Sequence, residues 1–170
     1  KKIVVVEGLD KTGKSTFSNI FADIYNRSFS DALVKFSFPN KTSPIGKSIR
    51  DELESDEPNL DIISAPNFIA EMTHYWMKEI YNHDYNTTKK SNRNYLFDRY
   101  FVSTLAYQAF YYDNENNLNF IKDTIKNNTF LKIPTDLIVL NLPNSIIIER
   151  TLKDEQTNMV DAHDTKDESI

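Results

Sequence analysis

The chain contains no cysteine among its 170 residues, which excludes disulfides, zinc–thiolate sites and thiol catalysis. Its three histidines, His74, His83 and His163, are too scattered to suggest a histidine metal cage. No apolar run approaches the ~20 residues of a membrane span. The opening Lys1-Lys2-Ile3-Val4-Val5-Val6-Glu7 is too short for a signal peptide and runs straight into a charged loop. A cytoplasmic protein with no membrane partner is the expectation. Glycine is the most informative shortage. Average usage of about 7% would give roughly twelve, and the chain has three, Gly8, Gly13 and Gly46. Two of them stand five residues apart, beside Lys14.

What is present fits one domain with one core. Apolar residues make up 39%, but eleven Phe and nine Tyr can bury a sizeable interior. A net charge of −5 argues against nucleic acid as a partner. The charge is uneven. Residues 1–50 carry nine Lys/Arg against four Asp/Glu, residues 51–150 nine against fifteen, and residues 151–170 two against six. The basic end suits an anionic small molecule or is simply a solvated face. The eighteen Asn read as drift in base composition, and Asp113-Asn114-Glu115-Asn116-Asn117 reads as a loop.

Hydrophobic patterning alternates strands with helices. Ile3–Val6 is a β-branched run typical of a strand buried on both faces. Phe17, Ile20, Phe21 and Ile24 form one helix face. Leu33–Phe38 predicts a strand stopped by Pro39, and Ile45–Leu53 a helix. Pro66 opens a helix carried by Ile69, Met72 and Trp76 to about Tyr81, with Trp76 in the core or at a dimer interface. His83–Asn94 is polar and loop-like. Tyr95–Phe97 is a short strand, followed by a helix over about 102–111. Leu137–Leu142 reads as a buried strand, followed by a helix over about 145–152. This order argues for a parallel α/β sheet in a single domain. The acidic stretch Lys153–Ile170 has little periodicity, and a disordered tail and a mobile lid are both open readings.

Gly8-Leu9-Asp10-Lys11-Thr12-Gly13-Lys14-Ser15 fits G-x-x-x-x-G-K-[ST] in full, with a strand before it and a helix after it. At average residue usage, chance produces such a match in well under about one chain in a hundred of this length. Glycines let backbone N–H groups turn inward around phosphate oxygens, and the helix N-terminus adds its positive end. Lys14 is suited to the β- and γ-phosphates, and the Ser15 hydroxyl to Mg²⁺. A plain strand-to-helix turn with a solvated Lys is the alternative. Asp98-Arg99-Tyr100 ends a predicted strand, where open α/β sheets bind ligands. There Asp98 is placed to hold Mg²⁺ through water and Arg99 to clamp a phosphate bidentately. A structural salt bridge is the competing reading of this pair.

Glu7-Gly8-Leu9-Asp10-Lys11-Thr12-Gly13-Lys14-Ser15-Thr16 resembles the E-G-x-D-[RK]-x-G-K-[ST]-[ST] loop of thymidylate kinases. The segment from Asp98 to Gln108, DRYFVSTLAYQ, is similar to that family's D-R-[YH]-x-x-S-x-x-A-Y-Q. Phe38-Pro39-Asn40-Lys41 with Ile45-Gly46 resembles its F-P-x-R…I-G, and Pro134-Thr135-Asp136-Leu137 its P-D-L. The resemblance implies a P-loop NTPase fold with a five-stranded parallel sheet, helices on both faces, and a homodimer. It also implies a lid at about 150–165, with the chain stopping before the family's last strand and helix.

Carried onto this sequence, the resemblance assigns ATP to Gly8, Asp10, Lys11, Thr12, Gly13, Lys14, Ser15, Thr16 and Arg150, with Mg²⁺ at Ser15 and Asp98. Lys14, Lys11 and Arg99 become the catalytic cations, and Lys11 takes the place of a loop Arg that bridges donor and acceptor phosphates. Asp10 accepts from the deoxyribose 3′-hydroxyl, and Lys41 and Arg99 hold the acceptor phosphate. Phe68 stacks on the base. Phe38, Ser103, Thr104, Tyr107 and Gln108 complete the substrate pocket, with Tyr107 excluding a ribose 2′-hydroxyl. Two departures stand out: Lys41 replaces an Arg, and Met72 stands where the family has an Arg that reads the thymine carbonyl. The expectation is therefore transfer of phosphate from ATP to dTMP, in nucleotide biosynthesis, with dUMP and a purine deoxymonophosphate also used. A deoxynucleoside kinase and a non-catalytic nucleotide-binding switch are the rivals.

Overall fold

The computed structural model describes residues 1–86, 93–111 and 115–164. In chain order the elements are β1 (Ile3–Gly8), α1 (Lys14–Ser28), β2 (Leu33–Ser37), α2 (Pro44–Leu53) and α3 (Ala65–Asn86), then β3 (Asn94–Asp98), α4 (Phe101–Tyr111), α5 (Glu115–Asn127), β4 (Asp136–Leu140) and α6 (Asn144–Asp164). The strands form one parallel sheet in the order β2-β3-β1-β4. It has four strands among the described residues, without the fifth that the family pattern implies. No helix among them is long and apolar enough to cross a membrane.

A parallel sheet needs cover on both faces, and the two-residue period of the strands supplies two apolar surfaces. Ile3, Val5, Tyr95 and Phe97 pack with Ile69, Met72 and Trp76 of α3 and with Ile121 and Ile125 of α5. Val4, Val6 and Leu96 pack on the other side against Phe17, Phe21, Ala22 and Tyr25 of α1. On the first face, the Phe97 and Tyr100 rings stack at 5.1 Å, and the Trp76 Nε1–H donates to the Tyr100 hydroxyl at 2.7 Å. Trp76 is therefore a core residue with its one polar atom satisfied.

Four sequence expectations change. In α1 the core-facing stripe includes the half-buried Phe17 and Phe21 but not Ile20 and Ile24, which are 56% and 58% exposed. The phase of this helix follows Lys14, whose buried side chain turns into the preceding loop. Ser18, one turn on, lies on the same face and is small enough to let the helix approach the strands. Glu115–Asn127, whose start was read as loop, is helical because Ile121 and Ile125 reach the core at one-turn spacing. Leu137 and Val139 were expected to be buried, yet they are 50% and 62% exposed. β4 pairs only with β1 among the described strands, and only Ile138 and Leu140 on its other face meet the core. Finally, α3 continues to Asn86 and α6 to Asp164, so much of the stretch read as an aperiodic tail is helix. Of the rest of the predicted loop His83–Asn94, residues 87–92 lie outside the described residues and Asn94 opens β3.

Helix α2 is seated on α3 through a buried carboxylate. Ser43 caps α2 by accepting from the Gly46 N–H at 2.9 Å. Glu71 Oε1 accepts from the Asn40 N–H at 2.7 Å and from the Ser43 hydroxyl at 3.0 Å. A Cβ on Gly46 would lie 2.0 Å from Glu71 Oε1 and 2.4 Å from the Asn40 carbonyl oxygen, so this approach needs glycine. The backbone of Asn40 has nowhere to retreat. Gly46→Ala should therefore cost about 1–3 kcal/mol as an overpacking substitution, read as a lowered urea midpoint. An unchanged midpoint would mean that α2 is not packed this tightly.

Burial pushes the Glu71 carboxyl above its usual 4.5, although the Asn40 and Ser43 hydrogen bonds oppose the shift. A raised folded-state pKa means the folded protein holds the proton more tightly than the unfolded chain. Its contribution to stability is complete below pH 4.5 and is lost as the pH rises through the raised value. Glu71→Gln cannot titrate. Stability of wild type relative to this variant should fall as the pH rises above 4.5, measured by urea unfolding across pH. A pH-independent difference would show that burial does not dominate at this carboxyl.

Candidate active site

The cleft opens at the C-terminal ends of the strands, where a parallel sheet leaves room between its connections. Its volume is about 720 Å³, within the ordinary range for a small-molecule site. The register that pairs Val6 with Asp98 sets the ends of β1 and β3 side by side. The chain then leaves β1 through Gly8, whose φ of +147° and close approach to the Leu140 carbonyl oxygen (2.4 Å from an added Cβ) admit no side chain. Gly13, left-handed at φ +89°, turns the loop into the N-terminus of α1. Lys11 and Arg99 also hold positive φ, at 64° and 67°. Non-glycine residues rarely do so, and such strained positions cluster at ligand sites.

Lys14 lies inside this turn. Its ammonium donates to the Leu9 carbonyl at 2.6 Å and stands 3.8 Å from the Asp10 carboxylate. Burial lowers its pKa, repulsion from Arg99 adds to this, and Asp10, Asp98 and Glu7 oppose it. Ser15 Oγ donates to Asp98 Oδ2 at 2.7 Å, which joins the start of α1 to the end of β3. Arg99 binds the Asp10 carboxylate, donates from Nη1 to the Ser103 hydroxyl at 3.0 Å, and lies 5.3 Å from the Tyr107 ring centre. Burial works to lower the Arg99 pKa, but Asp10 and Tyr107 outweigh it, so the guanidinium stays charged.

Glu7 builds the floor beneath these groups. Its Oε1 accepts from the backbone N–H groups of Tyr100 at 3.0 Å and Ser103 at 3.2 Å, and its Oε2 from the Ser103 hydroxyl at 2.5 Å. The carboxylate thus caps α4 and fixes the turn that carries Arg99. Burial raises its pKa, against those hydrogen bonds.

The cleft gathers most of the residues singled out from the sequence. Asp10, Lys11, Gly13, Lys14, Ser15 and Thr16 of the loop and helix start line it, as do Asp98, Arg99 and Ser103. Phe38, Phe68, Met72, Thr104, Tyr107 and Gln108 also line it. Gly8 and Thr12 shape the loop from outside the wall, with Thr12 Oγ1 donating to the Leu9 carbonyl at 2.8 Å. Arg150, from α6, donates to the Lys11 carbonyl at 2.8 Å, and Asp154 pairs with the Lys11 ammonium, so α6 lies against the phosphate loop. Lys41 does not line the cleft. Its ammonium is largely exposed and stands 4.0 Å from Glu54.

Arg50 lines the cleft, and sequence reasoning missed it. It stands one turn after Gly46 on α2, and its Nε donates to the Pro39 carbonyl at 2.7 Å. The Gly46 spacing was the available signal. Among the described residues no group of three His, Cys, Asp or Glu could hold a metal ion. The Ser15–Asp98 pair offers two hard oxygen donors, a set that fits a Mg²⁺ carried in by phosphates and water.

The sequence pattern of the family described as thymidylate kinase matches residues 6–168. No curated protein matches the chain. Among solved structures, a thymidylate kinase from Candida albicans is similar at a TM-score of 0.63 and 22% identity, covering 85% of this chain and 65% of that one. A thymidylate kinase from Ehrlichia chaffeensis is similar at a TM-score of 0.64 and 18% identity, covering 95% and 87%. The present chain thus spans 65% of the length of the Candida albicans protein. With the phosphate loop, the Asp98-Arg99-Tyr100 turn and the cleft between them in place, the chain belongs to the thymidylate kinase family.

Proposed function

We propose that the protein transfers the γ-phosphoryl group of ATP to the phosphate of a deoxynucleoside monophosphate, with dTMP as the reference acceptor. One observation carries this reading. A single cleft holds two sets of cations, Lys11 and Lys14 on the phosphate loop and Arg50 and Arg99 beyond it, with an apolar slot at Phe68 and Met72. A nucleotide-binding switch needs only the first set.

The acceptor is a phosphate oxygen whose second pKa near ~6 leaves it largely anionic at neutral pH. It needs no general base. It needs two anions held in line and relieved of mutual repulsion, so catalysis is positioning and charge stabilisation. Lys14 faces the donor phosphates, Arg99 and Arg50 the acceptor phosphate, and Lys11 the space between. Ser15 and Asp98 would hold Mg²⁺, which when bound neutralises phosphate charge. Tyr107, beneath the Arg99 guanidinium, supports that group and borders the sugar.

A deoxynucleoside kinase would need a carboxylate base at a neutral 5′-hydroxyl. Glu7, near the end of β1, is buried, accepts from three protein donors and does not line the cleft. Asp10, the carboxylate just after that strand, is held by Arg99. This arrangement favours the monophosphate acceptor.

Two substitutions test the reading. Lys14→Ala should lower kcat by about 100-fold or more while far-ultraviolet circular dichroism stays unchanged; wild-type turnover in ADP release would contradict the assignment. Arg99→Ala should raise KM for dTMP much more than KM for ATP. Equal changes for the two substrates would make Arg99 a purely structural residue.

A further inference from the structure

We infer that the base end of the cleft reads thymine and cytosine through the same two hydrogen bonds, making dCMP a second acceptor alongside dTMP. This rests on the kinase reading above and names its substrate class more closely.

The base end is built from two helices. α3 presents Phe68 and Met72 to the cleft, and α4 presents Thr104 and Gln108, each pair one helical turn apart. Met72, Thr104 and Gln108 are all buried in the wall. Neither Thr104 nor Gln108 makes a side-chain hydrogen bond to any described residue. Neither is among the fully buried unpaired atoms, so their polar atoms open to the cleft they line, where a ligand's polar edge can pair with them. The cleft's charged groups are engaged elsewhere: Arg99 with Asp10 and Ser103, Arg50 with the Pro39 carbonyl, and Lys14 with the Leu9 carbonyl.

The polarity of these two readers is not fixed. A guanidinium only donates and a carboxylate only accepts, but an amide does both from adjacent atoms and a hydroxyl rotates. Thymine presents an N3–H donor beside a C4 carbonyl; cytosine presents an N3 acceptor beside a C4 amino group. Gln108 meets thymine by accepting from N3–H and donating to the carbonyl. Turned by half a rotation, the same amide donates to N3 and accepts from the amino group. Two hydrogen bonds form in either case. Met72 covers the C4 and C5 edge with a flexible thioether that accepts a carbonyl, an amino group or a methyl without preference. Phe68 stacks on either ring.

The transfer itself is unchanged by the base. A monophosphate oxygen forms a bond to the γ-phosphorus, the bond from that phosphorus to the β–γ bridging oxygen breaks, and ADP leaves with the electron pair. The products are dCDP and ADP, with no change in oxidation state.

A site with matched fixed polarity rejects the wrong partner by about 10⁴–10⁵-fold, whereas an apolar contact discriminates by only about 10–200-fold. The test is kcat/KM from ADP release with MgATP and dTMP, dUMP or dCMP, for wild type, Met72→Arg and Gln108→Leu. The expected result places dCMP within about 100-fold of dTMP in wild type. Met72→Arg adds a donor-only group at the C4 edge and should lower dCMP relative to dTMP by at least about 10-fold. Gln108→Leu removes the shared reader and should lower both acceptors by similar factors. Brisk dTMP turnover with dCMP below it by about 10⁴-fold overturns the inference, as does a Gln108→Leu enzyme with both values unchanged. Should Met72→Arg fail to fold, the wild-type ratio and Gln108→Leu still decide. Absence of transfer to every monophosphate would instead remove the kinase reading, and this inference with it.

Discussion

The register of β1 against β3 determines the geometry of the whole cleft. Ile3 opposite Tyr95 and Val6 opposite Asp98 align the C-terminal ends of the two central strands. Glu7, the residue after Val6, can then reach the turn after Asp98, and Ser15 can meet Asp98 itself. A slip of one residue would send every side chain of the strand to the opposite face. Asp98 would leave the phosphate loop, and Phe97 would leave the aromatic cluster. The buried alternation of Val4, Val5 and Val6 with Leu96 and Phe97 prevents that slip, because each residue has its own apolar partner on its own face. Core packing and site geometry are consequences of one alignment.

On that frame the site stores charge and strain together. Lys14 and Arg99 are cations in a partly desolvated cleft, held by Asp10, Asp98 and backbone carbonyl oxygens. Burial and, after it, repulsion from Arg99 depress the Lys14 pKa, and a bound anion would relieve that repulsion. Lys11 and Arg99 keep left-handed backbones on the two loops that flank the cleft. Glu7 ties the strand before the first loop to the turn that carries Arg99, so the two anion-facing segments cannot move independently. Such preorganisation is what the proposed phosphoryl transfer would ask of this cleft, since that covalent chemistry makes few other demands.

Much of this was legible in the sequence because local rules and site chemistry coincide. The phosphate loop could be read because scarce glycines mark its two turns and Lys14 opens a helix directly after a buried strand. Asp98-Arg99 could be read because it ends a strand. Other features depend on packing that no local pattern carries. The phase of α1 follows the inward turn of Lys14, which left Ile20 and Ile24 in solvent. α5 was hidden by the Asn-rich run at its start, although Ile121 and Ile125 already carry its spacing. Lys41 was assigned to an anion only through the family resemblance of Phe38-Pro39-Asn40-Lys41, and the loop turns it toward Glu54. Arg50 faces the cleft because Gly46 lets α2 settle onto Glu71, a tertiary contact invisible to periodicity.

The proposed reaction requires one cleft to bind two anions at once, a donor at the phosphate loop and an acceptor at Arg99 and Arg50. Titration calorimetry of dTMP into protein saturated with Mg²⁺ and a β,γ-methylene analogue of ATP measures whether both sites fill together. One dTMP per chain should bind in the presence of the analogue, with an affinity close to that without it. Stoichiometric displacement of either nucleotide by the other would show a single anion site and rule out transfer within this cleft.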